Sequence, residues 1–115
     1  MGDFVGMTSS VIVSERSVRI GNGVRIGANS VIADTDFHPL SASERKVTPT
    51  TGAARPILIE DDVFIGMNCI VLKGACIRRG AVIGAGSVVS GEVAANTVVA
   101  GNPARFVKAL ESAKG

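Results

Sequence analysis

The sequence predicts an all-β solenoid in which short strands and tight corners wind into a parallel prism. Large aliphatic residues recur every six positions, and Gly and Asn recur at fixed offsets between them. The composition also argues against a conventionally packed core: 46% of the 115 residues are hydrophobic, but only 3% are aromatic, with no Trp or Tyr and 14 Gly. Neither the helical period of 3.6 nor the strand period of 2 holds Gly and Asn in place over so long a stretch. Three six-residue units per coil make a triangular prism that rises about 4.8 Å per coil, the spacing of hydrogen-bonded strands.

The opening residues read as an incomplete first coil, with Ile12 and Val18 in the smaller fifth position of the unit and Ser14 in the large first position. From there Ile20, Ile26 and Ile32 fill first positions, and Val18, Val24 and Ser30 fill fifth positions. Corners fall at Gly21-Asn22-Gly23 and Gly27-Ala28-Asn29, where Gly and Asn tolerate positive φ. The repeat then stops. Ile32 to Phe37 and Ala53 to Leu58 read as successive units, so residues 38–52 form an inserted loop. Loops of this length are usually functional or disordered.

Beyond the loop the repeat runs from Ile59 without a gap. Ile59, Ile65, Val71, Ile77, Ile83, Val89 and Ala95 take first positions, and Val63, Cys69, Ala75, Ala81, Ser87, Val93 and Val99 take fifth positions. With eighteen residues per coil, or thirty-three across the loop, Ile32, Ile65 and Ile83 stack in one column. Ala33, Gly66 and Gly84 stack beside them as a smooth strip that begins next to the loop and suits a long, thin ligand. Asn102-Pro103 reads as the N-cap and first turn of a C-terminal helix over 103–113.

A single domain spanning 1–115 is small enough that oligomerisation is expected. The 12 basic and 10 acidic residues are mixed along the chain and the four Phe have no basic interleaving, which excludes a nucleic-acid surface. The sequence has no cationic-then-apolar leader and no apolar run of membrane-spanning length, so a cytoplasmic setting is favoured. The spacing of Cys69 and Cys76 fits no zinc or redox motif, and both read as structural thiols. His38, the single histidine, opens the inserted loop.

Several stretches together resemble the hexapeptide-repeat acetyltransferases, especially the maltose and galactoside O-acetyltransferases and the polysaccharide-biosynthesis acetyltransferases. These are Asp36-Phe37-His38-Pro39, Pro56-Ile57, Val63-Phe64-Ile65-Gly66, Ile83-Gly84-Ala85-Gly86-Ser87-Val88-Val89 and Ala100-Gly101-Asn102-Pro103-Ala104-Arg105. The likeness spans about Val18 to Lys108. It implies a left-handed parallel β-helix, an exception to the usual right-handed crossover. It further implies a homotrimer with active sites between subunits, acetyl-CoA as co-substrate without a metal, and a saccharide hydroxyl as acceptor.

On that likeness His38 is the general base, since imidazole titrates near neutral pH and is the only one present. Backbone N–H groups near Gly66 and Met67 are candidates for stabilising the oxyanion. Gly66, Met67, Gly84, Ala85, Gly86 and Ser87 are expected along the coenzyme arm, with Arg105 and Lys108 at its phosphorylated nucleotide. Thr8, Ser9, Asp34 and Asp36 are the expected acceptor contacts. The chain departs from the family in having Met7-Thr8-Ser9-Ser10 where an asparagine is usual, Phe64 in place of Trp and Gly91 in place of Lys. Two other readings stand beside this one: an acyltransferase for serine or an amino sugar, and a non-catalytic trimeric module. A β-helix carbonic anhydrase is excluded, because its metal needs three histidines.

Overall fold

In a computed structural model that describes residues 6–7, 9–36, 40–47 and 53–111, six-residue units fold as short strands joined by corners. Strands β1 (Gly6–Met7), β2 (Val11–Val13) and β3 (Val18–Ile20) make the first coil. The second begins with β4 (Arg25–Ile26) and β5 (Val31–Ala33); helix α1 (Ala42–Val47) lies in the inserted segment, and β6 (Ile57–Ile59) follows it. The third coil is β7 (Phe64–Ile65), β8 (Ile70–Val71) and β9 (Cys76–Ile77), and the fourth is β10 (Val82–Ile83), β11 (Val88–Val89) and β12 (Glu92–Val93). Strands β13 (Thr97–Ala100) and β14 (Arg105–Ala109) close the chain.

The chain is a left-handed parallel β-helix with three faces. The first face is β1-β4-β7-β10-β13-β14, the second β2-β5-β8-β11 and the third β3-β6-β9-β12. Inward side chains form columns such as Ile26-Ile65-Ile83-Val99 and Ile20-Ile59-Ile77-Val93. All of these side chains are buried, and Ile59, Ile65, Ile77 and Ile83 are buried completely. Aliphatic ladders of this kind bury apolar area without large rings, which accounts for the lack of aromatics.

Cross-strand pairing corrects the sequence reading in four places. Ile65 pairs with Ile26, thirty-nine residues earlier, whereas Ile83 pairs with Ile65 at the plain interval of eighteen. The insertion therefore adds twenty-one residues and not fifteen. The chain leaves the prism directly after Ala33, because the next residue, Asp34, turns a fully buried carboxylate into the corner. Ile32 consequently stacks on Val71, and Ala33 is not part of the glycine column.

The first coil differs as well, since Ile12 pairs with Ile32 and so holds a first position, while Ser14 lies in a wide corner. In the last coil Val93 pairs with Ile77, sixteen residues away, so that coil is two residues short. Val93 and Val99 are thus first-position residues, Thr97 turns inward and Ala95 is exposed. Finally, 103–111 contains no helix: Arg105–Ala109 is β14, antiparallel to β13. An uncovered edge on the last coil leaves backbone groups without partners, and the Phe-Val segment pairs with that edge.

Candidate functional site

The corner between the first and second faces is built from small residues. A Cβ on Gly27 would lie 2.5 Å from the Met67 amide nitrogen and 2.6 Å from the Gly66 carbonyl carbon. One on Gly66 would lie 2.8 Å from the Ala85 nitrogen, and one on Gly84 would lie 3.0 Å from the Ala100 Cβ. The strip is therefore Gly27-Gly66-Gly84-Ala100, and glycine is needed because successive coils touch there through backbone.

The carbonyls of these glycines are held from inside. Ser10 Oγ donates to Gly27 O at 3.0 Å and Ser30 Oγ to Gly66 O at 2.9 Å. The Cys69 thiol and the Ser87 hydroxyl both donate to Gly84 O. Small polar fifth-position residues thus serve as an internal ladder. Ser87 is fully buried and also accepts the Gly101 amide at 3.0 Å, so its side chain faces the interior and not a ligand on the strip.

The amides along the corner divide into two sets. Gly27, Gly66 and Gly84 donate to Ile65, Ile83 and Val99 carbonyls at 2.7, 2.8 and 2.8 Å. The Gly66 N–H is therefore consumed by the coil-to-coil ladder and is unavailable to an oxyanion. The amides of Ala28, Met67 and Ala85, one residue further along, have no acceptor among the described residues. Gly86, at φ 74, completes the corner and has open space around it.

At one end of the strip Arg105 pairs with Ala100, and Lys108 pairs with Val98 further back on the same strand, β13; both side chains are exposed. At the other end Ser9 occupies the same corner, its carbonyl accepting the Asn29 amide at 3.1 Å. Phe64 and Met67 are about half exposed beside Gly66. The structure thus gathers Ser9, Gly66, Met67, Gly84, Ala85, Gly86 and Arg105 along one edge.

The inserted segment leaves from the other edge of the second face. Thr35 and Ala54 form an antiparallel bridge, the Asp36 amide donates to Ala53 O at 3.0 Å and the Arg55 amide to Asp34 O at 2.9 Å. The Asp34 carboxylate accepts the amides of Glu15, Arg16 and Ser17 at 2.7 Å each and the Ser14 hydroxyl at 3.2 Å. Burial opposes ionisation, but these donors outweigh it and hold the carboxyl below its ordinary value. Asp34 is thereby committed to the corner and not to an acceptor. Asp36 forms an ion pair with Lys73, a residue that no motif in the sequence marks out. Phe37, His38, Pro39 and Thr8 lie outside the described residues. Among the described residues no group of three or more His, Cys, Asp or Glu is placed to hold a metal, and no helix is long and apolar enough to cross a membrane.

This fold and corner belong to a recognised class. The model for bacterial transferase hexapeptide (six repeats) matches residues 56–91, and that for the hexapeptide repeat of succinyl-transferase matches 4–33. The chain belongs to the hexapeptide-repeat proteins. It is 41% identical over 88 residues to 2,3,4,5-tetrahydropyridine-2,6-dicarboxylate N-acetyltransferase of Staphylococcus aureus, a match covering 76% of this chain and 31% of that protein. It thus spans about a third of that relative's length. Among solved structures it is similar to a hexapeptide-repeat acetyltransferase of Vibrio cholerae complexed with acetyl coenzyme A, with a TM-score of 0.78, 27% identity and coverage of 97% and 71% of the two chains. A maltose O-acetyltransferase from Clostridium difficile matches with a TM-score of 0.72, 28% identity and coverage of 97% and 70%.

Proposed function

We propose that this chain is a cytoplasmic O-acetyltransferase that moves an acetyl group from acetyl-CoA to a hydroxyl of a sugar or saccharide precursor, with His38 as general base. The observation that carries this reading is the backbone-lined strip, whose amides at Ala28, Met67 and Ala85 have no acceptor among the described residues and which ends at Arg105. A pantetheine arm is long, thin and rich in amide groups, and the phosphorylated nucleotide at its end calls for a cation. Lys108 adds a second positive charge near that end.

A trimer brings the loop to the strip. The outward column of the second face is Val11-Val31-Ile70-Val88, with Val11 52% and Ile70 41% exposed. The first face carries Arg25 and the third Arg19 and Glu92 in their outward columns, so the second face is the apolar one. Three prisms that turn this face to a common threefold axis set the strip edge of each beside the loop edge of the next. The strip and the loop root lie on different edges of one prism, so a shared site fits this geometry better than a site within one chain.

In the reaction, His38 takes the acceptor proton as the hydroxyl oxygen attacks the thioester carbonyl. The oxyanion forms within reach of a corner amide, and Met67 N–H fits that part because its neighbour at Gly66 is already bonded. Collapse breaks the carbon–sulfur bond, and the thiolate leaves with the proton held by the imidazole. The Staphylococcus aureus relative is named as an N-acetyltransferase, which favours an amine, such as that of an amino sugar or serine, as the second acceptor class.

The test is thiol release from acetyl-CoA with a panel of sugars, amino sugars and serine. A saccharide hydroxyl should support turnover, and His38→Ala should lower it by about 10² to 10⁴ while coenzyme affinity is kept. Near-wild-type turnover by that variant would refute the base assignment, and release only with amines would replace the acceptor class.

A further inference from the structure

The root of the inserted segment is gripped from the coil below and the coil above. Below it, the Asp34 carboxylate takes three amides of the Ser14–Ser17 corner, and Thr35 Oγ1 donates to Glu15 Oε2 at 2.8 Å. Above it, Lys73 on the next coil pairs with Asp36, and the two side chains are only 25% and 24% exposed. Lys73 lies two residues beyond the end of β8, at the corner where the second face meets the third. That is the corner from which the insertion departs one coil earlier.

We propose that Lys73 is a positioning residue, which pins the loop root through Asp36 and so fixes the start of the segment that continues to His38. The catalytic part of this proposal rests on the transferase reading above, but the clamp itself does not. Asp36 stands two residues before His38 in the sequence, so a root that swings leaves the imidazole without a fixed origin. The backbone bonds Asp36 N to Ala53 O and Arg55 N to Asp34 O close the root on its own side, at 3.0 and 2.9 Å. Among the ion pairs of the described residues, only that of Lys73 ties the root to a later coil. Asp36, read from the sequence as an acceptor contact, is on this account an anchor.

The experiment compares Lys73→Met and Lys73→Arg in the full-length protein, by amide hydrogen exchange and by steady-state kinetics. Lys73→Met should speed exchange at the Asp36 and Arg55 amides about tenfold, with the Gly66 and Gly84 amides unchanged, because a partly buried pair is lost only at the root. Turnover should fall about tenfold with KM for acetyl-CoA unchanged, and Lys73→Arg should restore both. Unchanged exchange at the root overturns the clamp. Faster exchange with unchanged turnover on a confirmed acceptor overturns the positioning role. If the wild-type protein acetylates no acceptor, the transferase reading fails while the exchange data still decide the clamp. Asp36→Asn alone and combined with Lys73→Met closes a double-mutant cycle; additive effects on exchange would also sink the proposed pair.

Discussion

Asp34 accepts the Ser17 amide at 2.7 Å through Oδ2, the same oxygen that takes the Arg16 amide. A fully buried carboxylate thus stitches the widest corner of the first coil to the coil above it. Asn in its place has one acceptor oxygen and turns an N–H toward the remaining donors. Asp34→Asn should therefore cost about 2–4 kcal/mol in urea unfolding at neutral pH. Because the folded carboxyl titrates below its ordinary 3.8, its contribution is complete above the unfolded value and is lost as the pH falls through the lower folded value. Acid unfolding should accordingly be shallower in the variant, and an identical pH profile would contradict this account.

Gly27 and Gly91 make a matched pair of tests. At Gly27 an added Cβ meets immovable backbone of the next coil, whereas at Gly91 nothing lies within 4 Å. Gly27→Ala should cost about 1–3 kcal/mol and Gly91→Ala less than about 0.5 kcal/mol, read from thermal or urea melts. Equal effects would mean that coil contact does not explain the glycine strip.

Ile70 is central to the apolar column of the second face. Ile70→Glu should convert a trimer to monomers in light scattering, while Arg19→Glu on the third face should leave assembly as it was. A wild-type protein that is monomeric at working concentration would remove the shared-site geometry.

Arg105 ends the strip, and its partner Ala100 lies against Gly84. Arg105→Ala should weaken acetyl-CoA binding by roughly tenfold and dephospho-CoA binding much less, measured by calorimetry, if the guanidinium meets the 3′-phosphate. Equal losses for the two ligands would place Arg105 elsewhere.

The sequence by itself determined the period of six, and with it the solenoid, its triangular section and most inward residues from Ile20 to Val89. These were legible because a six-residue unit imposes the same local demand on every coil: an aliphatic residue inward, a small one near the corner and Gly or Asn at positive φ. Gly66 and Gly84 were also legible as parts of one strip, since their interval of eighteen follows the uninterrupted repeat, whereas Arg105 was placed at its end by the family resemblance. Tertiary pairing alone decided where the repeat breaks. Val93 and Val99 satisfy either of two registers by hydrophobicity, and only pairing with Ile77 and Ile83 chooses between them. The same holds at Asp34, which locally reads as an exposed turn residue and is buried because three amides from another coil converge on it. Residues 105–109 become a strand because an open edge on β13 needs backbone partners, and five residues have too little helical preference of their own to resist that demand.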